Sequence, residues 1–175
     1  YKEIKGVTVQ TRDTDPTVNV GAWASVSALN TARDNGASIG TTDNAMAIGG
    51  APGSKNISET WNGTSWTEGN NLNTGRSHFH GAGVYTSAVV AGGESPSVTN
   101  AVEKYNGTSW TTSTNYPASK ASIGAMGASN TAAVFFGGAP TVAETYEFDG
   151  TNWTETNDMN TGRNDLAAAG TQTAG

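Results

Sequence analysis

Short apolar runs separated by polar turn segments recur along the chain. Residues 88–91 are a continuous apolar run, a pattern typical of a strand buried on both faces. Small residues at 80–84 predict a strand before it, and loose alternation at 101–105 predicts another after it. The pair Asn106-Gly107 predicts a type I′ hairpin turn, after which residues 109–112 return antiparallel. The pattern therefore predicts a unit of four strands.

The unit repeats around a tryptophan. Four tryptophans lie 43, 44 and 43 residues apart, a period typical of radial β architectures with about four strands per unit. A glycine pair follows the apolar run before each of the last three tryptophans, and a hairpin-turn pair lies three residues before each of them. The repeating residues are Trp23, Trp66, Trp110 and Trp153, with Gly49, Gly50, Gly92, Gly93, Gly137 and Gly138.

Composition agrees with strands joined by tight turns. The chain has 23 glycines among 175 residues and only 14% charged residues, a mixture that suits short strands better than helices. Recurring apolar clusters and 8% aromatic residues argue against disorder. Cysteine is absent, which excludes disulfides and thiolate metal sites. We therefore predict an all-β fold.

The repeat resembles the kelch repeat over roughly residues 22–175. The resemblance is carried by the apolar run with its glycine pair, an aromatic residue before the hairpin turn (Trp61, Tyr105 or Phe148) and the tryptophan after the turn. Kelch repeats build β-propellers with one four-stranded blade per repeat, so the resemblance implies a kelch-type β-propeller. It implies little about function, because propellers support many functions.

The repeat divides the chain into whole and partial blades. Three complete blades are predicted near residues 36–68, 80–112 and 124–156, and loose strands are predicted at 22–26 and 166–170. Closed propellers typically need 4–8 blades. The sequence is therefore interpreted as a portion of a larger propeller or, alternatively, as one copy in a ring that other copies complete.

Residues 1–21 lie outside the repeat and predict an extended N-terminal arm that needs a partner surface, either its own propeller or another subunit. This opening, the Asn-Thr-(Ala/Gly)-Arg phrases and the phrase Gly-Thr-Gln-Thr-Ala together look like kelch-like virion proteins of aquatic tailed phages. That resemblance implies a structural protein of a virion or its fibres, in a virion or extracellular location, with other protein subunits as partners.

The charge of the chain argues against two other classes of protein. The net charge is −6, and nine lysines and arginines are spread along the chain without a basic stripe, so a nucleic-acid partner is not expected. No apolar run approaches the roughly 20 residues that a membrane span requires. Membrane insertion is therefore not predicted either.

A basic residue lies ten positions after each tryptophan, and this gives the candidate ligand or partner face. The four residues are Arg33, Arg76, Lys120 and Arg163. A ring of them on one side of the disc would bind anionic sugars or an acidic partner. Alternatively, each pairs with an acid of the adjacent blade or caps loop carbonyls. Recurrence at every blade favours this architectural interpretation.

Candidate chemistry elsewhere is sparse. His78 and His80 lie two apart and would share one face of a strand, but no third metal ligand accompanies them. Three acids recur in the third strands and are interpreted as blade-edge partners of the basic residues, with no nucleophile and base beside them: Glu59, Glu103 and Glu144. The sequence therefore predicts no catalytic residue, no metal and no cofactor.

We interpret the chain as a non-enzymatic structural or interaction protein. The alternative is a glycan-binding adhesin that contacts cell-surface glycans through loops around Trp61, the two histidines and the basic ring. A glycan-active hydrolase ranks third: residues 62–66 and 106–110 are similar to the Asp-box turns of sialidase-type propellers, and those turns are themselves structural.

Overall fold

The computed structural model describes residues 25–172 of the chain. Within this range the named secondary-structure elements are all β-strands, and these strands form three four-stranded antiparallel sheets. The prediction of an all-β fold with three four-stranded units is therefore confirmed. The predicted arm at 1–21 and Trp23, with most of its loose strand at 22–26, lie outside the described residues.

Each sheet is a meander in which strand order follows chain order. Sheet 1 contains β1 (Ala37–Gly40), β2 (Ala45–Gly50), β3 (Lys55–Trp61) and β4 (Trp66–Glu68). Sheet 2 contains β5 (His80–Val84), β6 (Ser87–Ala91), β7 (Val102–Tyr105) and β8 (Trp110–Thr112). Sheet 3 contains β9 (Gly124–Ser129), β10 (Ala132–Phe136), β11 (Thr145–Phe148) and β12 (Trp153–Glu155). All neighbouring strands within a sheet are hydrogen-bonded antiparallel.

Strand β6 is buried on both faces, as its continuous apolar sequence predicts. Ala88 and Val90 pack into a cluster with side chains of sheet 1, while Val89 and Ala91 pack into a cluster with side chains of sheet 3. Side chains alternate between the two faces of a strand, so a strand with a neighbouring sheet on either side needs an apolar residue at every position. Sheet 2 therefore lies between the other two sheets.

The first strands of the three sheets lie side by side, β1 beside β5 and β5 beside β9. They line an open cleft of about 410 Å³ together with residues 168–171. Small side chains are required there: a β carbon at Gly81 would lie 3.0 Å from the side chain of Val90 and 3.2 Å from the carbonyl oxygen of Val89. Across the described residues the three sheets form an open row and do not close into a ring.

The hairpins between third and fourth strands differ from the predicted type I′ turns. Trp61 pairs directly with Trp66, so the loop has the four residues 62–65, and of its first two residues only Gly63 has positive φ. The side chain of Asn62 explains the longer loop, because its Oδ1 accepts the backbone N–H groups of Thr64 and Ser65 at 3.0 and 2.9 Å.

The same loop recurs in the other two sheets. Asn106 holds the loop of sheet 2 with two bonds of 2.9 Å, and Asp149 takes the same position in sheet 3. The N–H groups of Asn152 and Thr151 lower the pKa of the Asp149 carboxyl, because they stabilise its charged form. An aspartate thus replaces asparagine without loss of the turn.

Residues 166–170 do not form the strand that the sequence predicts. A strand requires a neighbour that accepts its backbone hydrogen bonds, and no strand in the described part of the chain pairs with this segment. Residues 168–170 nevertheless line the same cleft as β1, β5 and β9. Leu166 packs on Gly137, where an added β carbon would lie 2.7 Å from its Cδ1 atom. The segment is therefore docked on sheet 3 without being a strand.

Candidate functional site

A buried glutamate of sheet 2 is held by the segment that leads into that sheet. The backbone N–H groups of Asn73 and Thr74 donate to the Glu103 carboxylate at 2.7 and 3.2 Å. Arg76 Nη2 donates to Glu103 Oε1 at 2.7 Å, and Asn73 Nδ2 donates to Oε2 at 2.9 Å. The side chains of Arg76 and Glu103 are only 1% and 3% exposed. We call this arrangement of Asn, Thr and Arg around a glutamate a carboxylate clamp.

Sheet 1 has a carboxylate clamp of the same design. The N–H groups of Asn30 and Thr31 donate to Glu59 at 2.7 and 3.2 Å, and Arg33 Nη2 lies 3.0 Å from Glu59 Oε1. In both clamps the asparagine side chain also reaches the fourth strand of the sheet. Its Nδ2 donates to a tryptophan carbonyl, from Asn30 to Trp66 at 3.0 Å and from Asn73 to Trp110 at 3.1 Å.

Burial and pairing oppose one another in these clamps. Desolvation lowers the pKa of Arg76, while the Glu103 charge raises it, and burial lowers the pKa of Arg33 against the charge of Glu59. The guanidinium groups nevertheless stay charged, since arginine does not lose its proton in proteins. Arg76 Nη1 also donates to the carbonyls of Gly92 and Ala101 at 3.1 and 2.7 Å. These bonds offset part of the desolvation cost of the buried pair.

The contact between sheets 2 and 3 uses different chemistry. Lys120 Nζ donates to Glu144 Oε2. Glu144 directly precedes β11, and its side chain is 38% exposed. Tyr146 takes the third-strand position, two residues before the aromatic residue at the hairpin, that a glutamate takes in the other sheets. Tyr116 packs edge-on against Tyr146 and Trp153, with ring centroids 5.4 and 4.8 Å apart. An aromatic cluster therefore replaces the clamp.

The Tyr116 hydroxyl is buried and has no hydrogen-bond partner within the described residues. Burial raises the pKa of Tyr116 well above its usual range, and Tyr146 and Glu144 raise it further. Since an unsatisfied buried hydroxyl is costly, Tyr116→Phe is expected to leave stability unchanged or to raise it by about 1 kcal/mol. Urea unfolding measures this. The control Tyr116→Ala removes the ring and should cost about 3–5 kcal/mol of stability. A clear loss of stability in Tyr116→Phe would mean that the hydroxyl does have a hydrogen-bond partner.

The glycine pairs bind the backbone of the basic residues. The second glycine of each pair donates its N–H to the carbonyl of the basic residue that follows the sheet. These bonds, each 2.8 Å long, are Gly50 N to Arg76 O, Gly93 N to Lys120 O and Gly138 N to Arg163 O. At the first glycine, a β carbon on Gly92 would lie 2.4 Å from the Lys120 oxygen, and the φ of 67° disfavours any other residue.

A hydrophobic side chain from the next unit also fits against each glycine pair. Phe79 lies between Gly49 and Gly93: a β carbon on Gly49 would be 2.7 Å from its ring, and one on Gly93 would be 2.8 Å from its Cβ. Ile123 takes the equivalent position against Gly92 and Gly138. Each glycine pair therefore accommodates two parts of the following segment, its backbone and its apolar side chain, at distances that leave no room for a β carbon.

A line of backbone hydrogen bonds connects successive units. It passes through the residues two positions after each basic residue, all of which have a left-handed φ of 49–54°. The N–H of each residue donates to the carbonyl of its predecessor, from His78 to Asn35 at 2.7 Å, from Ser122 to His78 at 2.8 Å and from Asp165 to Ser122 at 3.1 Å. The units are thus joined by main-chain bonds that involve no side-chain atoms, so of the substitutions at these positions only proline removes the donor itself.

The predicted basic ring is not a ligand face at three of its four positions. Arg33, Arg76 and Lys120 are at most 5% exposed at the side chain and lie in contacts between units. The physical reason is that each basic residue meets an acid of the following sheet, which the fold places beside it. Arg163 differs because it is exposed, and no carboxylate in residues 25–172 pairs with it.

The two histidines do not converge on one site. His78 Nδ1 lies 3.4 Å from Glu94 Oε2, and both side chains are more than a third exposed. The Nδ1 atom of His80 is buried without a partner in the described range, and burial lowers the pKa of its ring. No group of three or more histidine or carboxylate side chains placed to share a metal lies in residues 25–172.

Sequence reasoning noticed the Asn-Thr-x-Arg phrases but did not identify their function. The signal was present: two of them lie ahead of sheets that carry a glutamate two residues before the hairpin aromatic, whereas the sheet without the phrase carries Tyr146 there. A hydrophobic residue six positions after each tryptophan was also missed. This series is Leu29, Leu72, Tyr116 and Met159, of which Leu72 and Tyr116 are fully buried.

Comparison with known proteins assigns no family: no family model matches the chain, and no curated protein shows a significant match to it. Among residues 25–172 there is no helix long and apolar enough to cross a bilayer.

Proposed function

We propose that this chain is a non-enzymatic structural module, formed by blades of a kelch-type β-propeller, in the virion or fibres of a tailed phage. The observation that carries the proposal is the repeated carboxylate clamp at Glu59 and Glu103, which ties sheets 1 and 2 to the segments before them. With the backbone bonds between units, it makes a rigid row. The module would act by displaying its loops, because such a row holds them in constant relative positions where other proteins can bind them.

The charged side chains that could otherwise act as catalytic groups lie in the contacts between units. Glu103 accepts four hydrogen bonds and is 3% exposed at the side chain, so it is neither an accessible acid nor a free base. The adhesin alternative depended on an exposed basic ring. Burial of Arg33, Arg76 and Lys120 removes that support, and no other observation favours it.

The partners and location in this proposal come from the resemblance of the repeat and of its Asn-Thr-x-Arg phrases. They are other protein subunits of a particle, in a virion or extracellular setting. The exposed loops after the second strands suit such contacts: Pro96, Ser97 and Val98 in sheet 2 are all exposed, and Val98 is a 44% exposed apolar residue.

Two measurements test the structural role. Mass spectrometry of purified particles from the source should find the chain in a constant ratio to the other particle proteins. Light scattering of the purified native protein should give the mass of an assembly. A monomeric protein that is absent from particles would refute the proposal. The absence of a glycan-array signal from the wild type would leave the adhesin alternative unsupported, whereas glycan binding that is lost in Arg163→Gln would revive it.

A further inference from the structure

The segment Asn160-Thr161-Gly162-Arg163 has the sequence of the two filled clamps. Those clamps are residues 30–33 and 73–76, and each holds a glutamate of the sheet that follows. The corresponding segment before sheet 3 is Pro117-Ala118-Ser119-Lys120, and that sheet has Tyr146 in place of the glutamate. In the three described sheets, the Asn-Thr-x-Arg sequence therefore occurs together with a glutamate two residues before the hairpin aromatic.

The backbone of this segment is already in the position of a filled clamp. The N–H of Arg163 donates to Val142 O at 3.0 Å, as Arg76 donates to Lys55 O at 3.1 Å. The carbonyl of Arg163 accepts from Gly138, and the N–H of Met159 donates to Ala143 O at 3.0 Å, as Leu72 donates to Asn56 O at 2.8 Å. The segment at Tyr116 and Lys120 makes the same bonds, at 2.9 and 3.2 Å, without a clamp, so this backbone is common to all the units. The Asn-Thr-x-Arg side chains distinguish residues 160–163, and a backbone that is already held lowers the entropy cost of binding.

The binding groups of the segment are exposed and unused within the described residues. Asn160, Thr161 and Arg163 are all exposed, and within residues 25–172 no carboxylate pairs with Arg163. Two backbone N–H groups and a guanidinium are the donors that hold Glu59 and Glu103. A carboxylate is the ligand that this donor set recognises, and the positive group suits an anion although the whole chain carries a net charge of −6.

We propose that Asn160, Thr161 and Arg163 form a third carboxylate clamp, whose ligand is a third-strand glutamate of a further four-stranded antiparallel sheet packed beside sheet 3. Asn160 Nδ2 then donates to the first carbonyl of the fourth strand of that sheet, as Asn30 and Asn73 do in their clamps. The carbonyl of Asp165 continues the line of backbone bonds that joins the described units.

The partner is a sheet other than those of a second copy of this chain. Among the described residues, the glutamates that a second copy offers two residues before the hairpin aromatic are Glu59 and Glu103, and both are already bound by clamps of their own chain. Glu147 of β11 is one residue closer to the hairpin, so it lies on the opposite face of its strand. A free third-strand glutamate must therefore come from a different sheet. The inference builds on the proposed scaffold role, because it names the surface through which the module is extended.

The test supplies such a sheet to the intact chain. The full chain is extended after Gly175 by a second copy of residues 89–123, which continues the repeat in register because Gly170 and Gly83 are equivalent positions. Urea unfolding is then measured for a double-mutant cycle between Arg163→Gln and the Glu→Gln change in the added copy of Glu103. We expect coupling of about tenfold or more in the unfolding equilibrium constant. The matched control is the same cycle between Arg76 and Glu103.

Three results would overturn the proposal. One is additivity, with coupling below about twofold. Another is an added segment that remains unprotected in hydrogen exchange while residues 25–172 are protected. The last is that the unextended chain self-associates and that Arg163→Gln abolishes this self-association, since the clamp would then bind a second copy. Failure of the clamp leaves particle composition unaffected, so it is distinguishable from failure of the scaffold role.

Discussion

Replacing Arg76 with glutamine is expected to destabilise the protein by about 3–5 kcal/mol, because it leaves the Glu103 carboxylate buried without its counter-charge. Arg76 is 1% exposed and bonds to Glu103, Gly92 and Ala101. Glutamine is shorter and neutral, so it cannot replace these bonds together. Urea or thermal unfolding followed by circular dichroism measures the change.

The chain contains a matched control for this prediction. Arg163 occupies the same position of the repeat but is exposed, so Arg163→Gln should change the stability of the isolated chain by less than about 0.5 kcal/mol. Adding Glu103→Gln to Arg76→Gln should restore part of the loss, since it removes the unpaired charge. A loss below about 1 kcal/mol in Arg76→Gln would mean that the carboxylate clamp contributes little to the fold.

Replacing Phe79 with alanine is expected to cost about 3–5 kcal/mol, the usual range for a buried phenylalanine. Phe79 is 1% exposed and fills the space between the glycine pairs of sheets 1 and 2. The Arg76 guanidinium also lies over its ring, 5.9 Å from the centroid. The variant therefore loses apolar contacts in the cluster shared by two sheets, and we expect hydrogen exchange to increase in both.

Tyr85→Ala is the control for the phenylalanine variant, because Tyr85 is 40% exposed in the hairpin between β5 and β6. Its expected effect is within about 0.5 kcal/mol. Both large predictions approach the total stability of a typical domain, roughly 5–15 kcal/mol, so unfolding is best compared in a stabilising osmolyte. Equal losses in Phe79→Ala and Tyr85→Ala would argue against a role for Phe79 in joining the sheets.

Much of the fold could be predicted from hydrophobic and turn-residue patterns over short stretches of the sequence. The apolar run at 88–91 predicted a strand buried on both faces, and its two faces indeed lie in two separate clusters. The prediction succeeded because side-chain alternation is a property of the strand alone. The hairpin at Asn62-Gly63 was located correctly, but its loop type was wrong, because the Asn62 side chain bonds to residues beyond the pair.

The candidate site was predictable only in part, and Arg76 illustrates why. The repeat located a basic residue ten positions after each tryptophan, and an architectural role was the favoured interpretation. Its partner Glu103, which lies 27 residues along the chain, was among the acids predicted to pair with the basic residues. The local sequence does not specify which acid meets which basic residue. The segment at 166–170 was misjudged for a related reason, since a strand is defined by a neighbour that the segment does not have among the described residues.

Hydrophobic alternation, turn residues and the 43–44-residue period determined the all-β class and the four-stranded units, because these properties depend on residues close together in the chain. Tertiary structure decided which side chains meet between units. It buried Arg33 and Arg76 against glutamates, exposed Arg163 at the same repeat position, and placed Phe79 between two glycine pairs. The physical reason is that burial and ion pairing depend on the neighbouring sheet, so identical repeat positions acquire different environments.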